Sequence, residues 1–108
     1  MSVELLEPVA AYFAADKVDG EAVALCFTED AIVRDEGHVH AGRDEIRRWK
    51  DGTSASFSYT SEPFAVEEQD GTTVVTAHVV GAFPGSPVDL RYVFTLRGER
   101  IAALTIIP

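Results

Sequence analysis

The chain has 108 residues, enough for one domain built around one core. Its 46% hydrophobic and 25% charged residues are ordinary for a globular fold, and apolar residues in every segment exclude long disorder. A formal charge of −9 opposes nucleic acid and anionic membrane surfaces, because phosphate contacts need clustered Lys and Arg. It also disfavours a strongly anionic substrate.

Residues 3–16, VELLEPVAAYFAAD, place Leu5, Leu6, Val9, Tyr12 and Phe13 at helical spacing. Pro8 lies near the start, where a helix tolerates it. DGEAVALCFTED (19–30) predicts a second, short helix with Asp19 as N-cap and Val23, Ala24 and Phe27 as its apolar stripe. AIVRD (31–35) reads as a strand, and EGHVHAG (36–42) as a loop or tight hairpin punctuated by Gly37 and Gly42. GRDEIRRWKDGTSA (42–55) predicts a third helix that buries Ile46 and Trp49. Its Arg43, Arg47, Arg48 and Lys50 are expected on a solvated face with ion pairs such as Asp44 to Arg48.

From Phe57 onward the period changes to two. FSYTSEPFAVEEQ, TTVVTAHVVGAF, PVDLRYVFTLR and RIAALTIIP read as four strands, and the short turns between them imply antiparallel pairing. The order predicts a single α+β domain over residues 1–108, a curved sheet with three N-terminal helices gathered on one face. Along 88–97, Val88, Leu90, Tyr92, Phe94 and Leu96 should face the helices. The last strand is apolar on both sides, which predicts a homodimer through the outer sheet face.

Cys26 is the single cysteine, so no internal disulfide can form, and it reads as a small buried hydrophobe. The opening MSVELLEPVAAYF has neither a basic n-region nor a long apolar run. A cytoplasmic protein without signal peptide or membrane span is the expectation.

A concave sheet closed by helices leaves a cavity suited to a small apolar molecule. Candidate walls are Phe13, Phe27, Trp49, Phe57, Tyr59, Leu90, Phe94 and Leu104, and candidate polar groups are Tyr12, Asp35, Tyr59, His78 and Tyr92. Ala31, Val33 and Asp35 share one strand face. If that face points inward, Asp35 enters the cavity, where a carboxylate that loses hydration is a stronger base. If not, it is a solvated charge at a strand end. Tyr12 and Tyr92 are either core tyrosines or donors to a developing oxyanion. No pattern fixes which way His78 faces. His38 and His40 form an H-x-H pair, but no spacing fixes a third ligand, so a solvated loop is the reading and no metal is expected. Neither a nucleophile elbow nor a phosphate-cradling loop is present.

The stretches AAYFAADKVDGEAVALCFTEDAIVRDEG and HAGRDEIRRW, and the order of elements, resemble the nuclear transport factor 2-like superfamily. That superfamily includes the ketosteroid isomerases, the SnoaL-type polyketide cyclases and the limonene epoxide hydrolases. The resemblance covers essentially the whole chain and implies a cone-shaped, cystatin-like fold. It implies a general base at Asp35, in DAIVRD, and an oxyanion donor at Tyr12 on the first helix. The place of the isomerases' second donor, a protonated aspartate, is taken here by Tyr92. The resemblance thus points to cofactor-free acid–base chemistry on a small carbonyl compound, of isomerase or cyclase type. The alternative is a non-catalytic ligand-binding or assembly module, because this fold hosts both.

Overall fold

The computed structural model describes residues 4–56 and 58–108, so Phe57 lies outside the described residues. Helix α1 spans Glu7–Ala15 and carries Pro8 in its first turn, where the missing N–H costs nothing. Helix α2 spans Gly20–Ala24 and is capped by Asp19, whose carboxylate accepts from the Ala22 N–H at 2.8 Å. The predicted helix over 19–30 therefore stops early. Strand β1, Phe27–Asp35, starts where that helix was expected to continue. The competing force is a sheet ladder: Phe27 pairs with Ile101, and the Cys26 carbonyl accepts from the Ile101 N–H at 2.9 Å.

The register of β1 slips between Phe27 and Ile32, and Arg43 closes the gap with two guanidinium donors on the Phe27 carbonyl, at 3.0 and 2.8 Å. Strand β2, His38–Ala41, pairs antiparallel with β1 through a turn at Glu36 and Gly37, both with positive φ. Two positive-φ residues make the tight hairpin turn that matches strand twist. The HVH segment is thus a strand and not a solvated loop. Helix α3 spans Arg43–Ser56, and strands β3 (Tyr59–Gln69), β4 (Thr72–Gly81), β5 (Val88–Arg97) and β6 (Arg100–Ile107) follow.

The six strands form one sheet in the order β2-β1-β6-β5-β4-β3. Every pairing is antiparallel except β1 with β6, which is parallel. One register row runs Asp35, Ile106, Tyr92, Val75 across four strands. The next row inward runs Val33, Leu104, Phe94, Thr73. Both rows lie on the face covered by the helices, whose contribution to the core is Val9, Tyr12, Phe13, Val23, Ile46 and Trp49. Alternation on β5 falls as the sequence predicts, with Tyr92 and Phe94 buried and Arg91 and Thr95 exposed.

α2 packs closely on α3. A Cβ on Gly20 would sit 2.6 Å from the Arg47 carbonyl, and the Gly20 N–H donates to Asp51 Oδ1 at 2.9 Å. This docking fixes the roll of α3 about its axis, and hence where Trp49 and Lys50 point.

Candidate active site

A cavity of about 400 Å³ lies at the Asp35–Ile106–Tyr92 row of the sheet. Asp35, Trp49, Lys50, Tyr59, Leu90, Tyr92 and Ile106 line it, together with Phe83 and Pro84 from the β4–β5 loop.

Asp35 is the last residue of β1. Ala31 and Val33 on the same face are fully buried, so the alternation carries Asp35 inward at the point where the sheet leaves the core. Its Oδ2 accepts from the Trp49 indole N–H at 3.1 Å. Tyr92 lies two strands away on the same row, separated from Asp35 by Ile106. Strand spacing puts those backbones about 10 Å apart. Burial pushes the Tyr92 phenol up to about 12; the Ser61 hydroxyl acts against the rise, and the charges of Asp16 and Asp35 add to it. At neutral pH this phenol is a hydrogen-bond donor and not an anion.

Lys50 was expected on a solvated face and is instead buried. Its Nζ is 2.8 Å from Asp16 Oδ1, and the two side chains are 5% and 8% exposed. It also donates to the Tyr59 hydroxyl at 3.1 Å and to the Tyr12 hydroxyl at 3.3 Å. These contacts use the three hydrogens of an ammonium. The Tyr59 hydroxyl in turn donates to Asp16 at 2.9 Å. Lys50 Nζ lies 4.3 Å from the centre of the Trp49 ring, a cation–π contact. The cause is visible in the spacing: Ile46, Trp49 and Lys50 stand at i, i+3, i+4, so the turn that buries the first two buries the third. On α3 the exposed ion pair joins Arg48 to Glu45, at 2.8 Å.

The remaining predicted site residues divide by depth. Trp49, Tyr59 and Leu90 line the cavity. Tyr12 does not: it is 1% exposed and stands behind Lys50. Burial, and then the Asp16 charge, push its phenol well above the usual range. Phe13, Phe27, Phe94 and Leu104 are core residues beneath the cavity, because the Phe94–Leu104 row lies one step deeper than the Tyr92–Ile106 row. The rings of Phe13, Phe27 and Phe94 pack edge-on against Tyr12 at 5.1, 6.1 and 5.5 Å. His78 belongs to the opposite face of the sheet. It is exposed and bonded through Nδ1 to Asp89 at 2.7 Å, its register partner on β5, so it does not contact the cavity. Sequence reasoning missed Lys50, Asp16, Ile106 and the loop residues Phe83 and Pro84.

His40 stacks on Trp49 with ring centres 5.7 Å apart. Among the described residues no group of three or more His, Cys, Asp or Glu side chains is placed to hold a metal ion. No described helix is long and apolar enough to cross a membrane.

A protein from Sinorhizobium meliloti described as a candidate polyketide cyclase is 42% identical to this chain, with 94% of each chain covered and a TM-score of 0.89. A protein of ketosteroid isomerase-like fold from Catenulispora acidiphila, solved with trimethylamine, is 22% identical over 97% of this chain and 87% of its own, with a TM-score of 0.85. SalBIII, an epoxide hydrolase/cyclase-like enzyme of pyran ring formation in salinomycin, is 25% identical over 94% of this chain and 87% of its own, with a TM-score of 0.78. No protein of curated function matches the chain at a comparable level. The sequence profile of the SnoaL-like domain matches residues 9–104, a range that holds Asp35 and Tyr92 and stops short of Ile106, and the chain therefore belongs to the SnoaL-like domain family.

Proposed function

We propose that the protein is a cofactor-free acid–base enzyme of isomerase or cyclase type acting on a small, uncharged carbonyl compound. The observation that carries this is the pairing of a carboxylate and a neutral phenol across Ile106 in the wall of one cavity of about 400 Å³. The candidate polyketide cyclase and SalBIII support the cyclase side of the reading.

Asp35 takes the proton from the carbon beside the carbonyl, and the C–H electron pair moves into the enolate. Tyr92 donates to the enolate oxygen, where negative charge grows during the step. The Asp35 acid then returns its proton. In an isomerisation the proton goes to a different carbon of the conjugated system. In a cyclisation the enolate carbon attacks a second carbonyl, a C–C bond forms, and the proton goes to the new alkoxide. Both routes end with Asp35 ionised again. Tyr12 does not touch the substrate in this scheme; it holds Lys50, which fixes Tyr59 in the cavity wall.

The test is exchange of α-protons for deuterium in D₂O, followed by proton NMR on β-dicarbonyl compounds and cyclic ketones. Asp35→Asn should slow exchange by about 10²–10⁴-fold. Affinity, read from quenching of the chain's one tryptophan, should stay nearly unchanged. A binding module would give the fluorescence titration with no exchange above that of Asp35→Asn, and that result would reject the enzyme.

A further inference from the structure

We infer that Trp49 is a positioning residue for Asp35: its indole N–H engages one carboxylate oxygen and so selects the other as the atom that takes the proton. This rests on the reading of Asp35 as the base. The indole Nε1 donates to Asp35 Oδ2 at 3.1 Å. A carboxylate at a strand end turns about its last bond with little to stop it. One directed donor sets the plane of the group and leaves Oδ1 to meet the substrate.

The indole is itself held by two ring contacts. The His40 imidazole stacks at 5.7 Å with an interplanar angle of 30°. The Lys50 ammonium lies 4.3 Å from the ring centre. Lys50 is in turn anchored by Asp16, Tyr12 and Tyr59. Three consecutive elements therefore converge on one ring: β2 supplies the imidazole, α3 the ammonium, and β1 the acceptor. A ring clamped in this way fixes the angle of its N–H. Orientation of the reacting oxygen then does not rely on the substrate, and misplacement by about 1 Å costs on the order of 10²-fold in rate.

Because the chain has one tryptophan, every indole can be exchanged for benzothienylalanine, which keeps the ring shape and replaces N–H by sulfur. The isostere should lower kcat for α-proton exchange by about 10–100-fold with KM and Tm nearly unchanged. A merely structural Trp49 would leave kcat unmoved in a protein of native Tm, and that outcome overturns the proposal. The indole N–H also gives a single resonance in a ¹⁵N correlation spectrum, which needs no turnover. Asp35→Ala should move it upfield, as expected for a lost charged acceptor, and an unmoved resonance overturns the contact itself. Absence of exchange in the wild-type protein would reject the role of Asp35 as base, and with it the catalytic half of the proposal. The resonance would still decide whether Trp49 orients the carboxylate.

Discussion

Lys50→Met keeps the length and most of the apolar stem of the side chain and removes its charge. The Asp16 carboxylate, 8% exposed, then loses a partner 2.8 Å away. The Tyr59 hydroxyl, at 2.9 Å, remains as its side-chain donor among the described residues. Breaking a buried ion pair from one side costs about 3–5 kcal/mol, because the stranded charge keeps its desolvation penalty. The exposed Arg48–Glu45 pair, with side chains 66% and 51% exposed, sets the contrast. Pairs of that kind contribute about 0–1 kcal/mol. In a domain of this size 1 kcal/mol corresponds to about 4–8 °C in Tm, so the variant should lose at least about 12 °C. Urea unfolding followed by circular dichroism gives the free energy directly. The double variant Asp16→Leu/Lys50→Met should recover part of the loss, since an apolar pair strands no charge. A cost below about 1 kcal/mol for Lys50→Met, or strict additivity in the double variant, would refute the buried pair as the hub of the site.

Other consequences are open to simpler measurements. The folded-state values of Tyr92, about 12, and of Tyr12, well above the usual range, are both raised. The stability contributed by their neutral forms is therefore complete below about pH 10 and is lost as pH rises through the folded values. Ultraviolet titration should leave Tyr12 and Tyr92 un-ionised at about pH 11 while the fold persists; their ionisation near pH 10 would contradict their burial. Tyr92→Phe should cut exchange by about 10²–10³-fold, as removal of an oxyanion donor does. On the outer face, half-buried Val74, Val93 and Ile107 are the expected contact between two copies. Light scattering should then give twice the 11.7 kDa mass of one chain, and Val93→Arg should halve it; a monomeric parent would remove that interface.

What the sequence made legible was local. Strand alternation placed Tyr92 and Phe94 on the inner face, and put Asp35 on one face with Ala31 and Val33 without telling which way that face points, because the period of two is a property of each strand alone. The Asp19 cap was readable because it too involves only neighbouring residues. The early end of α2 was not, because the pairing of Phe27 with Ile101 joins residues far apart in the chain. Depth was also illegible: Phe94 and Tyr92 share a face, and only the register of neighbouring strands tells which one meets the cavity. His78 lies on a strand with apolar residues on both faces, so its direction had no local signal. Lys50 was legible and was overlooked, since a charged residue on a buried helical stripe is itself the sign of a buried partner.

The parallel seam between β1 and β6 sets a timetable for this protein. About 70 residues separate the two strands, and synthesis at about 5–20 residues per second keeps them apart for about 4–14 s. Until β6 emerges, Asp35 has its hairpin mate β2 but neither Ile106 beside it nor Tyr92 beyond. A nascent chain stalled before residue 100 would thus carry Asp35 without the strand that sets Ile106 beside it. The site is among the last parts of the domain to come into being.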